Sequence, residues 1–427
     1  MDRPPNAPPR YKHILSQILG IFIFTVLSLP LAVLQVLRYC VPSCRVHPTW
    51  SLSRHLVVAL GRSAFAWTSR WTLPRPQGPA AYEKKEIVHK LIGKGTEVDA
   101  VTVAGVPDAL RVGDLAVATG TVGSTEVPAF WTYQSGKWPR GDELAANGEK
   151  VILYVPGGTW VLGHPMLTPF PYYLSRAGHR RVLSINHRKA LSPSTAAPAQ
   201  FLDLLAGYIY LIQLRFRPEN ITLVGDSSGG HLLLGLTRYL AELAAVDGAA
   251  LTGSPSRNIA LPGAVMLLSP SGDLSHAPYS SIPTDWLSPY LNRMAYPSLS
   301  RHYPPDALRT NPYFSPAICG SFRYLAQPQR ARHIDDRRDG QNSPGVSTDS
   351  VAGHHSPAVR VWIQYGDVEL LAPDIRRLIE RMREDGVPLE VDEVPGGCHL
   401  DSGIAFALRE RGQESSWTRL LEAVERY

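Results

Sequence analysis

The chain has 427 residues, of which 44% are hydrophobic and 19% are charged, so it can bury a full globular core and is not disordered throughout. Its four cysteines are too few for a disulfide-stapled scaffold, and they include no CxxC pair that would suggest a metal site. The net charge of +6 is spread along the chain without a nucleic-acid-binding signature. We therefore expect no metal site and no nucleic-acid partner.

A long hydrophobic run comes first in the chain. Residues 13–37 carry no formal charge, and as a helix these 25 residues span about 37 Å, enough to cross a hydrocarbon layer of ~30 Å. We predict a short tail over residues 1–12 and a transmembrane anchor over 13–37. A cleaved signal peptide and a buried helix are the alternatives, but the run exceeds the usual apolar region of a signal peptide and no A-x-A site follows. Positive charges nearly balance on its two sides, which leaves the orientation open.

Residues 48–94 are predicted to be a juxtamembrane segment and linker. Between residues 50 and 71, apolar side chains recur at roughly helical spacing with arginines between them, which indicates a helix. This helix would lie on the membrane surface, form part of a lid over a pocket, or pack as an ordinary helix.

The body of the chain alternates strands and helices. Short apolar runs predict strands at 151–155, 181–185, 221–224, 264–268, 359–363 and 389–394, with helices at 199–214 and 231–244. This alternation predicts an α/β fold, with a mostly parallel central sheet covered by helices on both faces. Two inserts interrupt it. Residues 271–315 are rich in Pro, Tyr and Ser, whereas residues 326–357 are polar and are predicted to be a disordered surface loop.

The residues with the clearest chemistry lie at one strand-to-helix turn. Residues 225–229 match the pattern G-x-S-x-G, directly after an apolar strand and before a helical pattern. Such a turn projects the central serine at the carboxyl edge of the sheet, beside a helix N-terminus whose amides favour a developing anion. A glycine-rich phosphate loop is the alternative, but no G-K-[ST] completes it. Ser227 is therefore predicted to be a nucleophile.

A serine nucleophile needs a base, and the base needs an acid that orients it. With a G-x-S-x-G turn these follow in the order Ser, Asp or Glu, then His, on loops after later strands. His399 follows the last predicted strand and is the expected base. Asp367 and Glu369 both follow the strand before it, and either carboxylate could reach the imidazole.

The anionic intermediate of acyl transfer needs preorganised amide donors. The turn supplies the N–H of Ser228, and the loop at residues 156–160, after an earlier strand, supplies more because Gly157 and Gly158 let the backbone approach a substrate closely. We therefore predict an oxyanion hole formed by Gly157, Gly158, Thr159 and Ser228. This chemistry requires neither a metal nor a cofactor.

Six ordered motifs carry a family resemblance: YVPGGTWVLG, SINHRKALSPSTAAPAQFLD, GDSSGGH, SPSGDLS, GDVELL and GGCHLD. Together they resemble the hormone-sensitive-lipase-like branch of the α/β-hydrolases, also called the fold-3 group, over about residues 95–425. With the predicted anchor, the chain is similar in particular to fungal membrane-anchored steryl acetyl hydrolases and related deacetylases.

The resemblance implies an α/β-hydrolase catalytic domain over residues 95–427, in which 271–315 forms a cap-like insert. It also implies that Ser227 is the nucleophile, His399 the base and Glu369 the acid, with Gly158, Thr159 and Ser228 donating to the oxyanion. The family's H-G-G-G reads P-G-G-T here, so the Thr159 side chain narrows the approach and favours small acyl groups. Family members normally carry Asp as the acid, which keeps Asp367 as a rival.

The function implied is a membrane-anchored esterase or deacetylase with a short-chain preference. It would act on esters of lipophilic alcohols such as sterols, terpenoids or secondary metabolites, without a cofactor and with no protein partner implied. The expected location is the endoplasmic reticulum membrane, as a single-pass protein, with a lumenal catalytic domain slightly favoured. Two alternatives stay open: a non-catalytic small-molecule receptor on the same fold, and an acyltransferase that uses the same acyl-enzyme.

Overall fold

Among the residues that the structure describes, three α-helices precede the first strand. The computed structural model describes residues 26, 28–71, 79–113, 122–136, 140–245, 259–274, 282–287, 305–327, 329–330, 355–356 and 358–427. The early helices are α1 (Ser28–Cys40), α2 (Leu52–Trp71) and α3 (Glu86–Ile92). Helix α2 matches the amphipathic helix predicted between residues 50 and 71.

An eight-stranded sheet forms the centre of the fold, and two further strands form a separate pair. The strands are β1 (Thr96–Val103), β2 (Val127–Gln134), β3 (Val151–Val155), β4 (Arg181–Ile185), β5 (Ile221–Asp226), β6 (Ala264–Leu268), β7 (Gln329–Arg330), β8 (His355–Ser356), β9 (Arg360–Gly366) and β10 (Leu389–Val394). The order in the large sheet is β1-β2-β4-β3-β5-β6-β9-β10. Strands β1 and β2 pair antiparallel, β2 also pairs antiparallel with β4, and all later pairs in this sheet are parallel. The separate pair joins β7 to β8 in antiparallel orientation.

Helices cover both faces of the sheet. Alternate side chains of each central strand point to opposite faces, so Leu153 and Leu223 join one core cluster while Ile152 and Val224 join another. The helices after the first three strands are α4 (Phe170–Ala177), α5 (Ala199–Gln213), α6 (Ser228–Ala245), α7 (Pro305–Thr310), α8 (Arg323–Ala326), α9 (Ala372–Glu384), α10 (Asp401–Ala407) and α11 (Ser416–Arg426). The first cluster includes side chains of α5, α6 and α9, and the second includes side chains of α4 and α11.

The predicted α/β architecture, a mostly parallel sheet flanked by helices, is confirmed. All six predicted strands are present, and the central ones are buried along their whole length, which explains why they read as continuous apolar runs. Strands β1 and β2 were not predicted. They extend the sheet at one edge. Within the described residues β2 alone runs opposite to the other strands of this sheet, since it pairs antiparallel with both β1 and β4.

Most of the predicted membrane anchor lies outside the described residues. Of residues 13–37 only 26 and 28–37 are described, and α1 is too short by itself to span a bilayer. The one described segment with the length and composition of a membrane span is Pro193–Gln213, and 78% of its apolar 18-residue stretch is buried in the fold. The predicted tail at residues 1–12, most of the cap-like insert and nearly all of the predicted disordered loop at 326–357 also fall outside the described residues.

Candidate active site

Ser227 lies on the turn between β5 and α6, in a strained backbone conformation. Its φ is +52°, a region that side chains other than glycine seldom adopt. The N–H of Ser227 holds the turn in place by donating to the carbonyl of Leu268 at 2.7 Å. A Cβ atom on Gly229 would lie 2.2 Å from the carbonyl oxygen of Val155, and one on Gly225 would lie 2.7 Å from Gly229. The flanking glycines are therefore what allows the turn to fit against β3.

The imidazole of His399 meets the hydroxyl of Ser227. Their Nε2 and Oγ atoms are 3.0 Å apart, although 172 residues separate them in sequence. His399 follows β10, and both side chains are buried. At this distance the ring nitrogen can accept the serine proton as the oxygen attacks.

Glu369 is the carboxylate on the far side of the ring. Its Oε1 lies 3.5 Å from His399 Nδ1, while its Oε2 accepts hydrogen bonds from the Ser269 hydroxyl at 2.7 Å and the Gly366 N–H at 3.0 Å. These two donors hold the buried carboxylate in place. Only Oε1 is then left to face the imidazole.

Asp367, the alternative acid, has a different neighbour. Its Oδ1 accepts a hydrogen bond from the Gly396 N–H at 2.7 Å, and the residue is only partly buried. It ties the loop after β9 to the loop after β10. The structure thus brings Glu369, and not Asp367, to His399.

Nearby carboxylates raise the pKa of the His399 imidazole. Burial alone would lower the pKa of the imidazole, but the hydrogen bond and negative charge of Glu369, with further negative charge from Asp285 and Asp226, outweigh it and raise the pKa above the ordinary 6.5. The site therefore favours the imidazolium that forms when His399 takes a proton.

The amide of Gly157 is already occupied. It donates to Asp226 Oδ2 at 3.0 Å, and the other oxygen of this carboxylate accepts from the Tyr154 hydroxyl at 2.5 Å. Burial raises the pKa of Asp226. The expectation that Gly157 belongs to the oxyanion hole is corrected here, because a buried side chain that the sequence pattern does not reveal accepts its N–H.

Three of the expected oxyanion donors stay available. Within the described part of the chain, the N–H groups of Gly158, Thr159 and Ser228 donate to no acceptor. Gly158 and Thr159 have φ angles of +126° and +52°, so the loop takes a conformation that exposes consecutive amides. The Thr159 hydroxyl donates to the carbonyl of Gly158, and the Ser228 hydroxyl accepts from the Trp160 N–H at 3.4 Å, which links this loop to the nucleophile turn.

Two buried polar residues of the site were not predicted from the sequence. Ser269, at the end of β6, also accepts a hydrogen bond from the Leu400 N–H at 3.0 Å, so it connects the acid to the histidine loop. Asp285 comes from the cap-like insert and is fully buried, and this burial raises its pKa to about 6. A serine directly after a predicted strand was a usable signal for Ser269, whereas no local pattern marks Asp285.

A buried basic pair lies behind the oxyanion loop. The Lys189 ammonium is 3.4 Å from His187 Nε2, and the adjacent Ala190 N–H donates to the carbonyl of Trp160 at 2.9 Å. Burial lowers the pKa of Lys189 to about 7 and that of His187 to about 3. Within the described ranges, no group of three or more His, Cys, Asp or Glu side chains is arranged to bind a metal.

Several known proteins that are similar to this chain are named as esterases. Residues 152–328 match a family model described as the alpha/beta hydrolase fold. The chain is 32% identical to Esterase LipU of Mycobacterium tuberculosis over 261 residues, which cover 60% of this chain and 72% of that protein. It is 30% identical over 132 residues to an acetyl-hydrolase of Streptomyces hygroscopicus, and this match spans only 39% of the relative's length.

Solved structures share the fold. An esterase of the bacterial hormone-sensitive lipase family superposes with a TM-score of 0.54 and 20% identity, over 88% of this chain and 99% of that one. A mutant of the esterase E40 gives a TM-score of 0.55 with the same coverage. Given the family-model match and the extent of the LipU alignment, the chain belongs to the α/β-hydrolase fold family, among its carboxylic ester hydrolases.

Proposed function

We propose that the protein is a membrane-anchored serine esterase that removes short acyl groups from esters of lipophilic alcohols. The observation that carries the proposal is the 3.0 Å separation of Ser227 Oγ and His399 Nε2 on a strained strand-to-helix turn. A serine held in this way serves acyl transfer and has no evident structural purpose.

Each step uses a group of the site. Ser227 Oγ attacks the ester carbonyl while His399 takes its proton, and Glu369 stabilises the resulting imidazolium. The N–H groups of Gly158, Thr159 and Ser228 stabilise the tetrahedral oxyanion. His399 then returns the proton to the leaving alkoxide, which departs as the alcohol and leaves an acyl-serine. Water, activated by His399, releases the acid and restores the serine.

The preference for a short acyl group rests on the oxyanion loop. Thr159 stands where the resembled family carries glycine, and its buried side chain narrows the approach to the amides. The name of the Streptomyces relative, an acetyl-hydrolase, points the same way. We propose acetyl esters of sterols, terpenoids or other lipidic alcohols as the substrate class, as the resemblance to fungal steryl acetyl hydrolases suggests.

Membrane anchoring is part of the proposal. The support is the uncharged run at residues 13–37, together with the apolar side chains that α1 and its surroundings leave exposed: Val26, Leu29, Val33, Leu34 and Leu37. We propose a single span in the endoplasmic reticulum membrane with a lumenal catalytic domain. Extraction of expressed membranes at alkaline pH tests the membrane span, because a spanning protein stays in the pellet and a peripheral one moves to the supernatant.

Hydrolysis of p-nitrophenyl esters from C2 to C16 in detergent tests the activity. We expect turnover on C2 to C4 esters that falls steeply with longer chains and that Ser227→Ala lowers by several orders of magnitude. A folded protein that hydrolyses none of these esters would contradict the proposal. A maximum at C12 to C16 would overturn the short-chain preference alone.

A further inference from the structure

Three consecutive residues of the cap-like insert bind the backbone around the catalytic groups. The Thr284 hydroxyl donates to the carbonyl of Val368 at 2.8 Å, and the carboxylate of Asp285 accepts the Leu370 N–H at 2.5 Å. Val368 and Leu370 are the residues on either side of Glu369. The insert therefore holds the peptide that carries the acid from both sides.

The third residue binds the base. Trp286 Nε1 donates to the carbonyl oxygen of His399 at 2.5 Å, and the indole and imidazole rings are 5.5 Å apart and inclined at 55°. The Trp286 side chain thus contacts both the backbone and the imidazole ring of His399. Residues 284–286 therefore bind both the loop that carries the acid and the loop that carries the base.

Asp285 is buried in an environment where a carboxylate needs hydrogen bonds from the protein in place of those to water. It is 0% exposed, and its second oxygen accepts the Leu287 N–H at 2.9 Å. Burying a carboxylate is costly unless hydrogen bonds replace those it made with water. Here the N–H groups of Leu287, from the same segment, and of Leu370, from the loop that carries Glu369, replace the hydrogen bonds to water. The burial of Asp285 therefore depends on its contact with the loop that carries Glu369.

We propose that residues 284–286, which we call the 284–286 clamp, position Glu369 and His399 relative to each other and to Ser227. The inference rests on the proposed function and adds to it three positioning residues from a segment outside the central sheet. The side chains of the clamp hold the backbone of the two loops, so they act on the reaction through the triad and not by contact with the reacting atoms.

The clamp also links the triad to the N-terminal part of the chain. The Arg62 guanidinium of α2 donates to the carbonyl oxygens of Ile282 and Asp285. Helix α2 follows α1 and the predicted anchor along the chain. The clamp is therefore supported on one side by α2 and bonded on the other to the two catalytic loops.

Two conservative variants test the clamp. Thr284→Val removes the donor to Val368 with little change in volume, and Trp286→Phe removes the donor to His399 but keeps an aromatic ring. We expect each to lower kcat on p-nitrophenyl acetate by about three- to tenfold with KM within about twofold, because small displacements of catalytic groups act on the transition state. The rate of covalent labelling by a fluorophosphonate should fall in parallel.

A pair of substitutions at Asp285 separates positioning from mere filling of space. Asp285→Asn keeps one acceptor oxygen and the volume, whereas Asp285→Leu keeps a branched side chain that fills the site but has no acceptor. Positioning predicts that kcat falls further in the leucine variant than in the asparagine variant; equal kcat values in the two folded variants would contradict it.

Matched controls remove similar groups elsewhere. Thr237→Val deletes a buried hydroxyl that donates to the carbonyl of Leu234 at 2.8 Å, and Trp417→Phe changes a buried tryptophan of the second core cluster. Both should leave kcat within about twofold of the parent even where the melting temperature falls. Should Trp286→Phe fail to fold, Thr284→Val carries the test.

The outcomes separate the clamp from the proposed function. An active parent whose folded Thr284→Val and Trp286→Phe variants keep its kcat would overturn the clamp and leave the serine chemistry standing. A parent inert toward both the ester and the fluorophosphonate would overturn the proposed function, and with it any role of the clamp in that reaction.

Discussion

Replacement of Glu369 by glutamine distinguishes the two carboxylates that the sequence left open. In the structure one oxygen of Glu369 accepts both the Ser269 hydroxyl and the Gly366 N–H, and the other faces His399 Nδ1. A glutamine has a single acceptor oxygen. If that oxygen keeps the first two bonds, the amide NH2 faces Nδ1 and favours the tautomer that carries its proton on Nε2, which cannot accept the proton of Ser227.

We therefore expect kcat to fall by about 10³- to 10⁴-fold, which corresponds to a loss of roughly 4–5.5 kcal/mol of transition-state stabilisation. KM should change little, because Glu369 is buried behind His399 and contributes to the transition state alone. Steady-state hydrolysis of p-nitrophenyl acetate by purified protein measures both constants.

Asp367→Asn is the matched control. The Asp367 carboxylate accepts a hydrogen bond from the Gly396 N–H, and an asparagine oxygen can accept the same bond. Its kcat should stay within about threefold of the parent. A loss of 10³-fold in Asp367→Asn with an active Glu369→Gln would refute the assignment and make Asp367 the acid.

Three further predictions concern other parts of the site. The kcat/KM of ester hydrolysis should rise with pH through a midpoint above 6.5, because His399 acts in its neutral form and nearby carboxylates raise its pKa against the effect of burial; a pH profile with a lower midpoint would argue against this. Gly229→Ala should lower activity by about 100-fold or more, since the added Cβ would lie 2.2 Å from the Val155 carbonyl oxygen. Gly403→Ala is its control, because no atom lies within 4 Å of the added Cβ, and it should retain parental activity in the same assay. Lys189→Met should be more stable than the parent in urea unfolding at pH 7. That advantage should shrink by on the order of 1–3 kcal/mol toward pH 9, because the unfolded parent holds a proton that the folded parent has released; an advantage independent of pH would contradict the lowered pKa of Lys189.

The central sheet and the nucleophile turn could be predicted because their signals are local. Buried parallel strands read as short apolar runs, and Ser227 lies in a motif between such a strand and a helix. Strands β1 and β2 gave weaker signals. In β1 the charged residues Glu97 and Asp99 alternate with apolar ones. In β2 Pro128 argues against a strand, but it precedes Ala129, where the pairing with β4 begins.

The parts of the site that escaped prediction depend on contacts between distant segments. The amide of Gly157 is taken by Asp226, 69 residues later, and no spacing rule reveals this. Asp285 binds a residue 85 positions away, from an insert without regular periodicity. The choice between Asp367 and Glu369 could be made only from the three-dimensional structure, because both follow the same strand. Only the path of the loop decides which of the two faces the imidazole.

The site of covalent attachment of a fluorophosphonate tests the central claim most directly. The purified full-length protein is treated with the probe, digested and examined by peptide mass spectrometry, with Ser227→Ala treated in parallel. The serine esterase mechanism predicts one stoichiometric adduct on the peptide that contains Ser227, absent from the variant, and loss of ester hydrolysis in step with labelling. Undiminished hydrolysis by Ser227→Ala, or an adduct on another residue that accounts for inactivation, would contradict it.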